Sequence, residues 1–280
     1  MNKKEREFWD ENGYIILKDI LTEDECTFIR GIVTQLATWE RKKGSAHIYD
    51  HDPSYTAGYV SESRQIGNLQ RVWNLINKHE IFRELIQRPV ILRIMEEIFD
   101  RETPHHKFTL NSFQANIIGV GGVEQKLHVD TPIPEPYPPW IMQANTIWLL
   151  DDFTEYNGAT WCLPGSHKLG TKPRAKDQSR RDLIQIQGKK GSVIVTHGFL
   201  WHKSGNNKTD KARICLLGAF AASYIRDISN EEEYLVVVDD KILDNSSETL
   251  KKLIGVGHGV HRGALQAPPL KGKKKIIVTN

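Results

Sequence analysis

Cysteine is scarce. Three in 280 residues, Cys26, Cys162 and Cys215, are too few and too scattered for a disulfide framework or a zinc site, and such usage fits a reducing compartment. Long apolar runs are missing as well. The longest, Ile214 to Ile225, is broken by Gly218 and Ser223 and stays well short of the roughly 20 residues that cross a bilayer, so it reads as a buried strand. The first residues, Met1-Asn2-Lys3-Lys4-Glu5-Arg6-Glu7, are charged and carry no apolar core of signal-peptide length. The expected location is therefore cytoplasmic, with no membrane partner. Charge of one sign is not in excess either: 38 Lys and Arg face 35 Asp and Glu, a net +3, which argues against a nucleic-acid surface. The one concentrated basic run, Lys271, Lys273, Lys274 and Lys275, is explained by a solvated tail as well as by a partner. Internal repeats and low-complexity linkers are absent.

A hydrophobic content of 39% over 280 residues is enough to bury a sizeable core in one domain. Its first part, about residues 1–107, is helical in period. Thr22 and Glu25 form a capping box, and Cys26, Ile29, Val33 and Leu36 follow at helical spacing. Val72, Leu75 and Ile76 repeat that pattern, as do Val90, Ile94, Ile98 and Phe99 behind Pro89, which suits the first position of a helix. From Phe108 to about residue 240 the period is that of strands, and a tail follows from about 241 to 280. Ser112, Gln114 and Asn116 alternate with Phe113, Ala115 and Ile117, giving one polar face. Pointing into a barrel, Gln114 and Asn116 would contact substrate or cosubstrate; plain solvent exposure is the alternative. Further strands are expected at Gln125–Asp130, Met142–Leu150, Ala159–Leu163, Asp182–Gln187, Ser192–Thr196 and Arg213–Ser223. Short strands separated by Gly, Asn and Pro imply a mainly β protein with N-terminal helices and a double-stranded β-helix core, a cupin-like jelly roll.

Of the eleven histidines, only His128 heads a His-x-Asp tripeptide, His128-Val129-Asp130. In an extended strand, residues i and i+2 point to one side, so the tripeptide can deliver a nitrogen and an oxygen to a single metal. A second imidazole from another strand would complete the two-His, one-carboxylate face of a non-haem Fe(II) oxygenase, leaving positions for a chelating cosubstrate and dioxygen. A bare His-x-Asp also occurs in surface turns, so the flanking sequence has to decide. Downstream come Trp148-Leu149-Leu150-Asp151-Asp152, Asn157-Gly158-Ala159-Thr160, Leu163-Pro164-Gly165-Ser166-His167, and Trp201-His202-Lys203-Ser204-Gly205-Asn206 leading to Arg213.

This ordered set resembles the phytanoyl-CoA dioxygenase family of Fe(II)/2-oxoglutarate oxygenases, from about Phe8-Trp9-Asp10-Glu11-Asn12-Gly13-Tyr14 to about Phe220. The resemblance implies that His128, Asp130 and His202 ligate iron and that Arg213 holds the distal carboxylate of 2-oxoglutarate. A guanidinium fork suits that task because it binds a carboxylate bidentately and stays charged. By the same resemblance Ser204 adds a hydroxyl to that carboxylate, Trp148 packs beside the cosubstrate, and Thr160 and Gln125 contact it, ordinary strand polarity being the alternative for these last two. The implied cofactors are Fe(II), 2-oxoglutarate and O2, and the implied partner is a small-molecule substrate. The implied reaction oxidises a substrate C–H while 2-oxoglutarate becomes succinate and CO2. Hydroxylation is the commonest outcome; desaturation, cyclisation and epoxidation stay open, as do the substrate and the oligomeric state.

Other histidines compete for the metal. His197 lies near His202, but the Trp-His-x-Ser-Gly-Asn context and the spacing to Arg213 favour His202. His167 reads as structural, His47, His51, His105 and His106 as solvated, and His258 and His261 as part of a Gly-rich loop. The segment Thr131-Pro132-Ile133-Pro134-Glu135-Pro136-Tyr137-Pro138-Pro139-Trp140 cannot form a regular ladder. It is expected to wall the substrate pocket, with Tyr137 and Trp140 as apolar contacts. Two rival classes remain: a jelly-roll isomerase or hydrolase using another metal, and a non-enzymatic barrel. A halogenating relative is disfavoured because Asp130 is present.

Overall fold

The computed structural model describes residues 1–49, 69–102, 108–131, 133–223, 225 and 238–255, with backbone alone at 100–102. The N-terminal part is helical because its local signals agree. Helix α1 (Lys3–Asn12) starts with a capping box between Asn2 and Glu5 and stops at Gly13, whose φ of 78° suits glycine. Helix α2 (Glu23–Lys43) starts on the Thr22–Glu25 box, ends on Arg41, Lys42 and Lys43 followed by Gly44, and buries Cys26, Ile29 and Val33. Helices α3 (Glu80–Ile86) and α4 (Pro89–Glu102) follow, the latter opening on Pro89 as expected.

The helical reading of Val72, Leu75 and Ile76 is corrected. Val72 ends strand β3 (Leu69–Val72), and Leu75–Asn77 is one 3-10 turn. Asn74 between them has φ 51°, a left-handed conformation that no α-helix passes through.

The remaining strands are β1 (Tyr14–Leu17), β2 (His47–Tyr49), β4 (Phe108–Ile118), β5 (Gln143–Leu149), β6 (Thr160–Cys162), β7 (Ile184–Gln185), β8 (Val193–His197), β9 (His202–Ser204) and β10 (Arg213–Ala222). They form a seven-stranded antiparallel sheet in the order β1-β8-β5-β10-β4-β3-β2 and a three-stranded sheet in the order β7-β6-β9. Strands alternate their faces. One face of the large sheet carries Phe113, Trp148, Val195, Leu216 and Phe220 against the helices. The other carries Ile147, Leu149, Ile194 and Cys215 toward Cys162 on the small sheet and Ala159 just before it. Two facing sheets with helices behind one of them make a jelly roll.

Four of the expected strands form within their limits (β5, β6, β7 and β10), β4 starts at Phe108 as expected, and Ser192–Thr196 forms one residue later as β8. Gln125–Asp130 forms no strand: the chain bends at Leu127 and Asp130 and meets β9 through the bridge His128↔His202 and a hydrogen bond from the Gln125 N–H to the Ser204 carbonyl at 3.1 Å. The expected tail begins with two short helices, α5 (Asp240–Asp244) and α6 (Glu248–Leu253), and α6 sends Leu250 and Leu253 into the helix-side core. The basic run at Lys271 lies outside the described residues. Among those described, no helix is long and apolar enough to cross a membrane.

Candidate metal centre

His128 and Asp130 lie two apart in one segment, and His202 opens β9 beside it. His128 and His202 exchange both backbone hydrogen bonds, at 3.0 and 2.9 Å, which fixes their side chains next to each other with ring centroids 4.5 Å apart. Asp130 closes the triangle. Its Oδ1 is 3.5 Å from His128 Nε2 and its Oδ2 is 3.3 Å from His202 Nε2, so one ligand atom from each residue falls within 4.8 Å of the others. Each imidazole is aimed by its second nitrogen: Nδ1 of His128 lies 2.8 Å from the Lys126 carbonyl and that of His202 2.9 Å from the Leu200 carbonyl. Donation of Nδ1–H to those carbonyls leaves both Nε2 lone pairs facing the centre, the arrangement a metal-bound histidine needs.

The electrostatics favour a cation there. Burial alone would raise the Asp130 carboxyl, but the His202, His128 and Arg71 charges reverse that and hold it far below the usual carboxylate range. Burial disfavours a charged His128, yet hydrogen bonding and attraction from Asp130 push it up overall, whereas burial and the neighbouring His128 push His202 down. Two nitrogens and an anionic oxygen converge on one point, and an octahedral divalent ion with open positions fits that donor set. Cys162 lies across the ladder from His202, but burial pushes its thiol up to about 12, so the softest nearby group stays protonated.

A second cluster sits where β10 begins. Arg213 is only 3% exposed. Its Nη2 donates to the Gly158 carbonyl at 2.6 Å, its Nη1 to Cys215 Sγ at 3.0 Å, and its guanidinium lies 4.1 Å over the Phe153 ring. Among the described residues it forms no ion pair with a carboxylate. A buried cation lacking a counterion is costly unless an anion joins it. Gly158 lies close against the guanidinium: φ there is 82°, and a Cβ would lie 3.0 Å from the Gly205 carbonyl and 3.7 Å from Arg213 Nη2. Ser204 faces Thr160 across the β6–β9 ladder, and its buried Oγ has no hydrogen-bond partner among the described residues. Gln125 Oε1 accepts the Ser204 N–H at 3.1 Å. The structure thus brings Gln125, Thr160, Ser204 and Arg213 to one end of the small sheet.

A profile of the phytanoyl-CoA dioxygenase (PhyH) family matches residues 9–215, a span that includes all of these positions. The chain belongs to that family. Among its relatives, dioxygenase af480 of Aspergillus fumigatus is 29% identical over 191 residues, 67% of this chain and 59% of the relative. The chain thus matches less than two thirds of that relative's length. Dioxygenase sphC, from another strain of that fungus, is 25% identical over 267 residues, 91% and 68% of the two chains. Among solved structures, iron-bound EctD from S. alaskensis superposes with a TM-score of 0.62 at 21% identity, covering 81% of this chain and 78% of that one. SnoK, a carbocyclase of nogalamycin biosynthesis, gives 0.60 at 18% identity, covering 88% and 91%. These likenesses support the jelly-roll fold of the PhyH chain.

Other expected positions fall elsewhere. Trp148 is fully buried and packs 6.4 Å from Phe113 on the helix side of the large sheet. The alternation of β5 that turns Asn145 toward Asp130 turns Trp148 away, so its placement beside the cosubstrate is corrected. Trp148→Ala is expected to cost about 3–5 kcal/mol of stability, the range for a buried aromatic, while 2-oxoglutarate affinity, measured well below the melting temperature, stays as in wild type. Tyr137 is set within the core beside the segment that carries His128 and Asp130. It stacks on Phe199 at 4.5 Å beside Leu127 and Val129, the residues alternating with His128 and Asp130. It lines a cavity of about 360 Å³ with Trp9, Ile141, His167 and His197, and none of the three ligand candidates borders it. Trp140 is 46% exposed. Gln114 and Asn116 are buried on β4, and Asn116 is in register with both Arg71 and Cys215, so it faces the barrel interior.

The competing histidines separate cleanly. His197 faces α1, 6.1 Å from Trp9 and 5.0 Å from His167, and its Nδ1 accepts the Phe199 N–H. His167 packs on Gly13, where a Cβ would come within 2.5 Å of its Nδ1. His47, expected in solvent, is 7% exposed, stacks on Trp73 and accepts its indole N–H on Nδ1. His51, His105, His106, His258 and His261 lie outside the described residues.

Burial pushes His47 and His167 down to about 4 and His197 down to about 3, below the unfolded value near 6.5. The unfolded chain then takes up protons that the fold refuses, so their contribution is complete above about pH 6.5 and is lost as pH falls toward about 4. Urea unfolding at about pH 7.5 and about pH 5 is expected to show lower stability in acid, with a smaller difference in His197→Asn. Equal stability at both would refute their burial as neutral rings.

Sequence reading missed Asn145, Gln143 and Gly198, which surround Asp130, and Arg71, whose charge acts on both His128 and Asp130. Polar residues at alternate positions inside an apolar run were the available signal for the first two.

Proposed function

We propose that the chain is an Fe(II)/2-oxoglutarate-dependent dioxygenase that oxidises an unactivated C–H of a small-molecule metabolite, most commonly by hydroxylation. The observation that carries this reading is the pairing of two features: three convergent donor atoms of His128, Asp130 and His202 within 4.8 Å, and a buried Arg213 without a carboxylate partner among the described residues. A solved structure of EctD holds 2-oxoglutarate and 5-hydroxyectoine, and the fold is shared.

Bound iron would supply O2 activation coupled to conversion of 2-oxoglutarate into succinate and CO2. The protein's share is positioning. His128, Asp130 and His202 would hold the ion on one face, with their exposed side, at 35%, 32% and 14% exposure, open to ligands. Arg213 would clamp the distal carboxylate of the cosubstrate by a charge-assisted fork. Ser204 Oγ would add a hydrogen bond, with Thr160 and Gln125 setting the β9 backbone beside it. Gln114 and Asn116 would meet substrate from the β4 face. The chain needs no nucleic acid or membrane for this chemistry, and a cytoplasmic setting suits it.

The test is reconstitution with Fe(II) and 2-oxoglutarate and a metabolite screen for substrate-dependent succinate release. Succinate formed in step with oxidised product supports the proposal. A product formed without 2-oxoglutarate consumption would favour the rival reading, an isomerase or hydrolase built on the same triad.

A further inference from the structure

We infer that Asn145, held in place by Gln143, is a positioning residue that limits the Asp130 carboxylate to one ligating oxygen and thereby keeps a coordination position open for the cosubstrate. This rests on the iron reading above. Asn145 Nδ2 donates to Asp130 Oδ2 at 2.6 Å. Gln143 Nε2 in turn donates to Asn145 Oδ1 at 2.9 Å, which settles which end of the Asn145 amide faces the carboxylate. Asn145 and Gln143 are buried, at 8% and 7% exposure, which limits the water that competes for these bonds. They occupy alternate positions of β5 and therefore share a face.

The backbone closes the same network. Gly198 donates its N–H to the Gln143 carbonyl at 2.8 Å and accepts the Asp130 N–H at 3.2 Å. A Cβ at Gly198 would lie 2.9 Å from both Gln143 Cβ and the Gln143 carbonyl oxygen and 2.5 Å from Thr131 Oγ1. Glycine thus lets the chain that carries Asp130 lie flat against the strand that carries its amide partners. Carboxylate orientation is set from two sides, by a side-chain amide on Oδ2 and by a main-chain bond at its own residue.

The coordination arithmetic gives this clamp a role. Three protein ligands on an octahedral ion leave three positions. A chelating 2-oxo acid takes two and O2 needs the third, so a carboxylate swinging to bidentate binding would remove one. An amide N–H on Oδ2, which also lies 3.3 Å from His202 Nε2, engages one of its lone pairs. That bond opposes the carboxylate turning both oxygens to the ion, with Oδ1, 3.5 Å from His128 Nε2, as the ligating atom. Outer partners of metal ligands commonly change affinity by about 10–100-fold when lost.

Co(II), which binds such sites without oxygen chemistry, is the probe. Calorimetric titrations would give the Kd of Co(II) and then that of 2-oxoglutarate for the Co(II)-loaded wild type, Asn145→Leu and Gln143→Leu. The proposal expects Co(II) binding within about tenfold of wild type in both variants, while 2-oxoglutarate affinity falls at least about tenfold in Asn145→Leu and by a smaller factor in Gln143→Leu. A merely structural role would lower both affinities together or neither. Wild-type 2-oxoglutarate affinity in Asn145→Leu overturns the proposal; should that variant not fold, wild-type affinity in Gln143→Leu overturns it. If the wild-type protein takes up no Co(II) or Fe(II), the metal reading itself falls, and this inference with it.

Discussion

His202→Ala is expected to abolish 2-oxoglutarate turnover and to remove iron from the protein at micromolar concentrations, while His197→Ala leaves both in place. The two residues are close in sequence, yet they point to opposite sides of the fold. His202 Nε2 lies 3.3 Å from Asp130 Oδ2, whereas His197 rests against Trp9 and His167 on the α1 side. Loss of one of three ligands removes a third of the donor set, and the remaining pair cannot define one face of an octahedron. Iron content after desalting, with succinate release, checks this. Retained iron in His202→Ala together with loss in His197→Ala would reverse the assignment of the distal ligand.

Arg213→Ala is expected to weaken 2-oxoglutarate binding on the order of a hundredfold, the scale of a charge-assisted bidentate contact in a partly desolvated site. The Michaelis constant for 2-oxoglutarate should rise far more than that for the substrate, because only the cosubstrate would meet this cation. Removing Arg213 also relieves an uncompensated buried charge, pushed toward deprotonation by burial, so the apo variant should not lose stability in proportion. Arg213→Lys separates charge from shape. It keeps the charge but not the fork, and an intermediate affinity is expected. Unchanged cosubstrate affinity in the alanine variant would sink the assignment.

The legible part of the site was the part encoded locally. His128 and Asp130 sit two apart in one segment, and the residues around His202 and Arg213 carry a recognisable order, so their convergence followed from the motif. What depended on strand parity was harder to read. Trp148 and Asn145 both belong to β5, and one face of that strand meets the helices while the other meets Asp130; the apolar run from Met142 to Leu150 hides which is which. The polar pair Gln143 and Asn145 therefore passed unnoticed. Strand β9, three residues long, is too short to show a period, although it carries both His202 and Ser204. In the first part, the spacing of Val72, Leu75 and Ile76 imitates a helix, but Val72 pairs in β3 and the backbone at Asn74 is left-handed. Tyr137 follows a candidate metal ligand closely, and the segment turns its ring onto Phe199. Proximity in sequence set its distance from Asp130 without setting its direction.

The most direct test of the central claim is an anaerobic titration of 2-oxoglutarate into the Fe(II)-loaded protein, followed by its weak visible charge-transfer absorption. A band is expected that saturates at one 2-oxoglutarate per chain, is absent from Asp130→Ala, and needs much higher 2-oxoglutarate in Arg213→Ala. A wild-type protein that binds Fe(II) yet shows no band at any 2-oxoglutarate concentration, or a band that survives in Asp130→Ala, would contradict the claim.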